Sequence, residues 1–422
     1  MLRFAASTAR DMSIGDLRVA LFTFITSLQR KEDFIVRLED TNTKKNIEGK
    51  DKEVLDILDF FKIKSTQEIY QSQNVRFHSA MALQLMHEKE AFSCFCSPEW
   101  IQKKIDEAES EKKPYLYDDA CANLPAELVI DNLNPFTVRI HRPKKDITII
   151  DSLQGELRLK ADTIDSFMIL KQDKTAMKDF ATAIDDMLSD ISLVIQSQEE
   201  IESAAKQEYI RAALSYNKKI EYMHIPNIEN NDVSVLSLLE SGYLPEAITN
   251  YLISISTRAP KEIFTLEEAT EWFSFDAMVK TPVVFDIEAL RAMNKEYLKK
   301  LDAKELSRYV GFADEEIGEL ARIYLQEAST TKELNDKIAP IFSKRTIPQK
   351  FEEQTKNIAN IIKSAPYFNE YDAFESYIIQ ESGLQGEELL IPLRILLTNA
   401  ERGPDIAQVY NCLKNYMGEI IK

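Results

Sequence analysis

Three of the four cysteines lie close together in the sequence, which is the arrangement that a metal site requires. Cys94 and Cys96 are separated by one residue, and Cys121 follows after 24 further residues. Thiolates are preferred zinc ligands, and four cysteines are too few for a disulfide framework in a chain of 422 residues. The cluster therefore indicates a metal site. Cys412 lies in a C-terminal helical pattern and is expected in the core; the four histidines share no spacing and are not expected to be ligands.

The length and composition indicate a globular chain of two or three domains, because one hydrophobic core stops growing at about 250–300 residues. No apolar run approaches the ~18–20 residues of a membrane-spanning helix, and the N-terminus lacks a signal-peptide pattern. We therefore expect a cytoplasmic protein without a membrane partner. The net charge of -18 opposes nonspecific binding to phosphate backbones. DNA is not an expected partner, and RNA would have to meet local basic patches.

The elements that must position these residues begin with alternating apolar runs and helical patterns, typical of a parallel sheet covered by helices. Residues 2–5 and 34–38 are the first predicted strands, with a helix between them. From about 92 to 150 the pattern changes to a charged helix and β-like stretches such as 136–140, which indicates an inserted module.

Strands of the parallel sheet are predicted again at 166–170 and 191–195. Beyond about Ser234, amphipathic helices follow one another to the end of the chain. They include the stretches 287–301, 314–327, 351–363 and 406–417.

Ordered motifs run along nearly the whole chain. Residues 3–15 read RFAASTARDMSIG, 36–42 read VRLEDTN, 242–252 read GYLPEAITNYL and 392–394 read PLR. They resemble glutamyl-tRNA synthetases of the bacterial type, whose pattern begins R-F-A-P-S-P-T-G-x-x-H-I-G and continues with R-I-E-D-T-D. The resemblance implies an α/β, Rossmann-type class I synthetase catalytic domain with an inserted module, followed by an all-α C-terminal helical region.

Together with the sequence patterns, the resemblance divides the chain into five segments. They are a first catalytic half (1–91), an inserted acceptor-stem or zinc-type module (92–150), a second catalytic half (151–233), a helical stem-contact region (234–300) and an all-α, anticodon-binding-like domain (301–422).

The resemblance implies that ATP activates glutamate, yet both motifs that would hold the triphosphate have changed. In place of H-I-G-H at the first strand-to-helix turn, the chain has Ser13, Ile14, Gly15 and Asp16. A hydroxyl replaces an imidazole, and a carboxylate would repel phosphate. In place of the K-M-S-K-R loop, the stretch 223–234 contains no Lys or Arg. Losing one such donor typically costs ~10²–10³ in rate, so this nucleotide site is predicted to be degenerate and to hold ATP poorly.

The resemblance also implies a glutamate pocket that is half retained. Arg3 would pair with the substrate carboxylate through a bidentate contact, while Ser7 and Glu39 would meet its backbone groups. A pocket Tyr and a pocket Arg of the family are here Lys178 and Gln196. Lys178 restores a positive charge but not the planar fork of arginine. Alternatively, Arg3 and Glu39 belong to an ion pair left from an ancestral pocket and are purely structural.

The cysteine cluster matches the C-x-C…Y-x-x-x-C zinc knuckle of some family members. The resemblance therefore implies that Cys94, Cys96, Tyr117 and Cys121 bind a structural zinc, with Asp119 as a substitute fourth ligand. The alternative is three reduced cysteines in an insertion that holds no metal.

Three hypotheses of function follow. The first is a degenerate paralogue that cannot form glutamyl-adenylate efficiently and acts by binding a tRNA or a protein of the translation apparatus. The second is an active glutamate–tRNA ligase that uses Lys178 and its neighbours as replacements. The third hypothesis, modification of a tRNA nucleoside or another acceptor, is disfavoured because such relatives lack the helical C-terminal region.

A local basic stretch includes Arg139, Arg142, Lys144 and Lys145. These residues either contact tRNA or form a solvated face.

Overall fold

The chain folds into two compact units in the computed structural model, which describes residues 1–230 and 233–421. Each unit is formed by two stretches of chain: Met1–Leu236 with Leu252–Phe285, and Ser237–Tyr251 with Asp286–Lys422. The helical stretch predicted at 234–300 therefore contributes residues to both units.

The described residues form twelve strands. In chain order they are β1 Leu2–Ser7, β2 Phe34–Glu39, β3 Gln67–Tyr70, β4 Ala91–Cys94, β5 Thr137–Ile140, β6 Ile147–Asp151, β7 Gly155–Leu159, β8 Met168–Leu170, β9 Leu193–Ser197, β10 Glu221–Ile225, β11 Ile228–Glu229 and β12 Val283–Val284. Seven of them form a main sheet in the order β3-β2-β1-β9-β10-β6-β7, in which only the β6–β7 pair is antiparallel. The predicted parallel sheet is confirmed.

The centre of the main sheet is buried on both faces. β1 pairs with β2 from Leu2 opposite Phe34 to Ser7 opposite Glu39, and most of these residues are buried. Helices cover parallel sheets on both sides, so their strands are apolar runs without strict alternation. Arg3 is 4% exposed and therefore needs a partner inside the protein.

A separate antiparallel sheet has the order β4-β5-β8. β5 confirms the β-like stretch predicted at 136–140. The prediction that 166–170 rejoins the parallel sheet is wrong, because Leu170 of β8 pairs with Val138 of β5. Conversely, β6 starts inside the predicted insertion, 92–150, but pairs with β10 of the main sheet. Short apolar runs predict strands without indicating which strands they pair with.

The described residues also form nineteen α-helices. They are α1 Ile14–Arg30, α2 Lys50–Phe60, α3 Val75–His87, α4 Pro98–Ser110, α5 Ala126–Ile130, α6 Lys178–Leu188, α7 Ile201–Ala213, α8 Val235–Glu240, α9 Pro245–Ser254, α10 Leu266–Trp272, α11 Ile287–Lys300, α12 Ala303–Tyr309, α13 Glu315–Tyr324, α14 Thr331–Ile338, α15 Glu352–Ser364, α16 Tyr371–Ser382, α17 Glu387–Thr398, α18 Ile406–Leu413 and α19 Met417–Ile420. None of them is long and apolar enough to cross a membrane.

The second unit is built from helices, as the C-terminal periodicity predicts. One cluster of buried apolar side chains runs from Leu244 to Ile421. Cys412 is partly buried and packs against this cluster, which agrees with its predicted place in the core. The helices α11 and α15 confirm the stretches predicted at 287–301 and 351–363 to within two residues.

Gly318 permits a close approach between two helices of the second unit. A Cβ at this position in α13 would lie 1.7 Å from the carbonyl oxygen of Ala303 in α12. We predict that Gly318→Ala lowers the thermal unfolding midpoint, since overpacking typically costs about 1–3 kcal/mol. Gly418→Ala is the matched control, because a Cβ there meets no atom within 4 Å. Equal midpoints for the two variants would contradict this packing.

Candidate functional site

A cavity of about 420 Å³ opens where β1, β2 and β9 end, beside the N-terminus of α1. Parallel sheets commonly bind ligands at the carboxyl ends of their strands, where helix N-termini also point. Eight residues singled out by the sequence all line this cavity: Arg3, Ser7, Ser13, Gly15, Asp16, Glu39, Lys178 and Gln196. The structure therefore brings the predicted amino-acid pocket and the predicted nucleotide site into one space.

Arg3 is held by a buried carboxylate of α6. Its Nε and Nη2 atoms donate to Asp186 at 3.1 and 3.3 Å, and Arg37 of β2 donates to the same, fully buried carboxylate. Burial acts to raise the pKa of Asp186, but the two arginines outweigh it and hold the pKa below its ordinary value. Because Asp186 occupies the Nε–Nη2 edge of Arg3, the Nη1–Nη2 end is the part of this guanidinium that a ligand could meet. Glu39 does not pair with Arg3; it lies 3.5 Å from Arg37.

A second buried carboxylate anchors α6 to α3. Asp185 accepts hydrogen bonds from Gln71, Asn74 and His78 at 2.8 to 2.9 Å. His78 is fully buried in this network. Asp185 and Asp186 together fix the helix whose first residue is Lys178.

The carboxylate of Asp16 is engaged at the N-terminus of α1. Ser13 caps the helix, and Asp16 accepts hydrogen bonds from the Ser13 backbone and hydroxyl at 2.9 and 2.8 Å. Arg10 forms a bidentate pair with Asp16 at 2.6 and 2.9 Å. Burial acts to raise the pKa of Asp16, but Arg10 and Ser13 outweigh it and hold the pKa below its ordinary value. A negative charge therefore stands where the resemblance implies an imidazole.

Arg18 is a cavity residue that sequence patterns did not single out. It is 2% exposed; its Nη2 donates to the carbonyl oxygen of Pro226, while Nε and Nη1 are buried without a partner in the described structure. Burial lowers the pKa of Arg18 to about 10, because a charged form without a counter-ion is disfavoured. Arg18 therefore carries a charge that no carboxylate among the described residues balances. The available sequence signal is one charged residue inside the apolar run 17–22.

The positive charge of Lys178 is balanced by a carboxylate that also lines the cavity. Its Nζ lies 2.9 Å from Glu200 Oε1, and more than half of its side chain is exposed. Burial acts to lower the pKa of Lys178, but the charges of Glu39 and Glu200 outweigh it and raise the pKa above its ordinary value. Lys178 therefore stays charged, yet its charge is balanced before any ligand binds.

Gln196 contacts a buried histidine. His224 lies 2.9 Å from the amide nitrogen of Gln196 through Nε2 and 2.7 Å from Asp151 through Nδ1. His224 is a satisfied core histidine, as expected, but one that reaches a cavity residue. Sequence spacing gave no sign of this contact, because β6, β9 and β10 become neighbours only in the folded sheet.

The charges around the cavity balance. Four cations and four carboxylates line it: Arg3, Arg10, Arg18 and Lys178, and Asp16, Glu39, Glu199 and Glu200. Of the four cations, only Arg18 has no carboxylate partner in the described structure. The stretch 223–234, where the lysine-rich loop of the family is replaced, includes Asn231 and Asp232, which lie outside the described residues.

The cysteine cluster has the dimensions of a zinc site. The three Sγ atoms lie within 4.8 Å of one another, with Cys96 and Cys121 at 3.6 Å, and the Tyr117 hydroxyl lies 3.4 and 3.5 Å from Cys94 and Cys96. Tetrahedral zinc with its usual bond lengths would place two sulfurs about 3.8 Å apart, and sulfur and oxygen about 3.5 Å apart. These four side chains fit the ion. Asp119 points elsewhere, because it pairs with Arg142 at 2.6 Å.

The basic stretch around Arg139 largely supports this cluster. Arg139 is buried, stacks on the Tyr117 ring at 3.9 Å and donates to Ser166. Arg142 donates to the Tyr117 carbonyl oxygen. Neither alternative for this stretch, contact with tRNA or a solvated face, therefore holds for Arg139, and of the four residues only the lysines, 144 and 145, are exposed.

Comparisons with known proteins agree with this geometry. The family model described as tRNA synthetases class I (E and Q), catalytic domain, matches residues 1–292. Glutamate–tRNA ligase 2 of Sulfurimonas denitrificans is 58% identical and glutamate–tRNA ligase 1 of Nitratiruptor sp. is 42% identical, each over the full length of both chains. The crystal structure of a glutamate tRNA ligase from Elizabethkingia meningosepticum, in complex with its amino acid, has a similar fold. Its TM-score is 0.78 at 19% sequence identity, and the match covers 100% of this chain and 98% of that chain.

Asp186 makes stability depend on pH in a defined direction. Its pKa is lowered in the folded chain, so its contribution is complete above its unfolded pKa of about 4 and is lost as pH falls through the lower folded pKa. We predict that Asp186→Asn destabilises the first unit by about 3–5 kcal/mol at pH 7, because two buried arginines lose a charge. The difference from the native chain should shrink below about pH 4.

Chemical unfolding followed by circular dichroism across this pH range measures the effect. Asp190→Asn is the control, since Asp190 pairs with Lys218 on the surface and its loss should change little. A variant as stable as the native chain at pH 7 would refute a structural role for Asp186.

Proposed function

The chain belongs to the family of class I tRNA synthetases for glutamate and glutamine, and from this premise we propose that it is a glutamate–tRNA ligase with a slow activation step. In that step the glutamate carboxylate attacks the α-phosphate of ATP, glutamyl-adenylate forms and pyrophosphate leaves. The glutamyl group then passes to tRNA and AMP is released. The full-length identity of 58% to a glutamate–tRNA ligase carries the proposal.

Arg18 supports retention of the activation step. Arg18 lines the cavity next to the N-terminus of α1, where phosphate binding is favoured, and its guanidinium has no carboxylate partner in the described structure. Arg18 can therefore supply part of the positive charge that Ser13 and the altered loop no longer provide. Arg18 lies in the first helix, α1, whereas the hypothesis drawn from the sequence named Lys178 as the replacement cation.

Asp16 supports a slow step. Its carboxylate would face the negative phosphates, and it also occupies Arg10. Catalysis of phosphoryl and adenylyl chemistry depends on cations arranged before the reaction, so removing several of them lowers the rate more than it alters the fold.

A second candidate is a protein that binds tRNA, or a partner of the translation apparatus, without activating glutamate. It is favoured by the pairing of Arg3, Arg10 and Lys178 with carboxylates of the protein itself. In both candidates the helices of the second unit are proposed to contact tRNA, and the cytoplasm is the proposed location.

ATP–pyrophosphate exchange with glutamate, with and without tRNA, tests the proposal. We predict exchange at a rate at least ~10² below that of the Sulfurimonas denitrificans ligase assayed in parallel. Arg18→Met should lower it by a further ~10²–10³ while leaving the fold intact, because an unpaired buried charge is removed. No exchange under any condition would exclude a ligase and leave the binding role; exchange as fast as that of the relative would show that the changed motifs are harmless.

Asp16→Asn is the complementary variant. It removes the carboxylate, keeps a side chain able to hydrogen-bond Ser13 and releases Arg10, so exchange should rise about tenfold. Asp11→Asn is its control, since Asp11 pairs with Lys50 and does not line this cavity. An equal change in both variants would show that the effect is not specific to the site.

We also propose that the cysteine cluster binds a structural zinc. The native chain should contain about one zinc per molecule by elemental analysis, and Cys96→Ser or Cys121→Ser should remove most of it. Burial raises the pKa of Cys96 to about 12, so zinc binding by this thiol must displace a proton and should weaken as pH falls. Cys412→Ser is the control. A folded native chain that stays free of zinc after exposure to the metal would contradict the proposal.

A further inference from the structure

Two chain segments that follow neighbouring strands meet just outside the cavity. β1 ends at Ser7 and β2 ends at Glu39, and these two residues lie opposite each other in the sheet and line the cavity. The residues that follow them, Thr8 and Asp40, do not line it. One side chain from the loop after β2, that of Asn46, is hydrogen-bonded to both of them.

The hydroxyl group of Thr8 is directed toward β2 and the loop that follows it. Thr8 is 3% exposed, so this hydroxyl needs partners inside the protein. It lies 2.9 Å from Oδ1 of Asn46 and 3.2 Å from the carbonyl oxygen of Glu39, and both atoms are acceptors. The carbonyl oxygen of Thr8 also accepts the N–H of Ile47 at 3.0 Å. Thr8 is therefore held through its side chain and its backbone.

The amide of Asn46 has one orientation that satisfies both neighbours. Its Nδ2 donates to the carbonyl oxygen of Asp40 at 2.6 Å, and its Oδ1 accepts from Thr8. Turning the amide around would set Oδ1 against the Asp40 carbonyl oxygen, where two acceptors repel each other. Asn46 therefore joins the ends of β1 and β2 through one acceptor and one donor. We call these two hydrogen bonds, Thr8 to Asn46 and Asn46 to Asp40, the clasp.

The carboxylate of Asp40 connects the clasp to a third strand end. Its two oxygens accept the backbone N–H and the hydroxyl of Ser72 at 2.7 and 2.6 Å. Ser72 comes two residues after the end of β3. Because Asp40 is fixed on that side, Asn46 holds Thr8 to a segment that is itself anchored.

The clasp lies next to side chains that line the cavity. Ser7 comes immediately before Thr8, and its Oγ accepts the N–H of Ala9 at 3.2 Å, so the place of Ser7 depends on the backbone on both sides of Thr8. Arg10 follows two residues after Thr8 and lines the cavity. Glu39, whose carbonyl oxygen lies beside the Thr8 hydroxyl, lines it too. The spacing between the cavity residues of β1 and β2 is therefore set by a residue outside the cavity.

The sequence gives a reason for such a restraint at Thr8. The family pattern has proline at this position, and the chain has threonine. Proline restricts its own backbone without any partner, whereas threonine leaves the backbone free to move. In this chain the hydrogen bonds of the clasp supply the restraint.

We propose that Asn46 is a positioning residue of the cavity and thereby of the activation step, because it holds the ligand-facing residues of β1 and β2 at a fixed spacing through Thr8 and Asp40. The assignment to that step rests on the proposed function. Misplacing a reacting group by about 1 Å can cost ~10²-fold in rate, even when the change lies outside the site. Loosening the clasp therefore slows turnover without removing any cavity residue.

ATP–pyrophosphate exchange by the full chain, with ATP and glutamate each varied, tests the role. Thr8→Val and Asn46→Ala should each lower kcat about tenfold and change either KM by less than about twofold, because alignment is lost while the binding groups remain. Thr8→Ser keeps the hydroxyl and should retain the native kcat. Thr43→Val makes the same change at an exposed residue of the loop after β2 and should also retain it.

The double variant, Thr8→Val with Asn46→Ala, shows whether the two residues act through one contact. Its kcat should be no lower than that of the slower single variant, because the hydrogen bond between them can be lost only once. Independent, multiplying effects would overturn the proposal. So would a native kcat in Asn46→Ala, or a Thr8→Ser variant as slow as Thr8→Val.

Amide hydrogen exchange measures the clasp without turnover. The N–H groups of Ala9 and Ile47 are hydrogen-bonded to Ser7 and Thr8, and in Thr8→Val and Asn46→Ala they should exchange about tenfold faster, while those of α1 stay unchanged. Unchanged rates at both amides in Asn46→Ala would overturn the proposal even if kcat falls. Faster amide exchange in a chain whose native form lacks ATP–pyrophosphate exchange would remove the ligase proposal and leave Asn46 as a positioning residue of the cavity.

Discussion

The cavity depends on the buried carboxylate of Asp186. Arg3 and Arg37, from two neighbouring strands, both donate to it, and it is carried by the helix that starts at Lys178. Leaving such a charge unpaired inside a protein costs about 3–5 kcal/mol, so the strand ends and the helix are held together. The same contact also fixes the guanidinium of Arg3 and leaves its Nη1–Nη2 end for a ligand. Stability and the orientation of a cavity side chain are thereby linked at one residue.

The other polar side chains of the cavity are also paired within the protein. Asp16 forms an ion pair with Arg10, Glu200 forms an ion pair with Lys178, and His224 lies within hydrogen-bond distance of the Gln196 amide. The result is a cavity that is polar but without excess charge. A triphosphate needs such an excess, and among the described cations of the cavity only Arg18 has no carboxylate partner. The slow activation step that we propose follows from this balance of charge.

Local signals in the sequence predicted the parallel sheet, the helical second half and the cysteine cluster, and the resemblance to glutamyl-tRNA synthetases identified eight residues that line the cavity. Ser13 and Asp16 were visible because their motif has a fixed place at a strand-to-helix turn. The strand pairing of β8 and β6 was not predictable, because short apolar runs do not reveal their neighbours. Arg18 and the Asp151–His224 pair were missed for a related reason: burial and hydrogen-bond direction arise only when distant strands and helices pack. The ion pairs that balance the charges of Arg10 and Lys178 were missed for the same reason.

The cavity has almost no positive charge that is not already balanced by a carboxylate, so little is left to bind ATP. Titration of magnesium–ATP into the native chain between about 50 and 200 mM salt measures this directly, because ionic binding weakens steeply with salt. We predict a dissociation constant near ~1 mM or weaker, changing little over this range. Micromolar binding that weakens steeply with added salt would contradict the claim, since it would reveal free cations that the structure pairs with carboxylates.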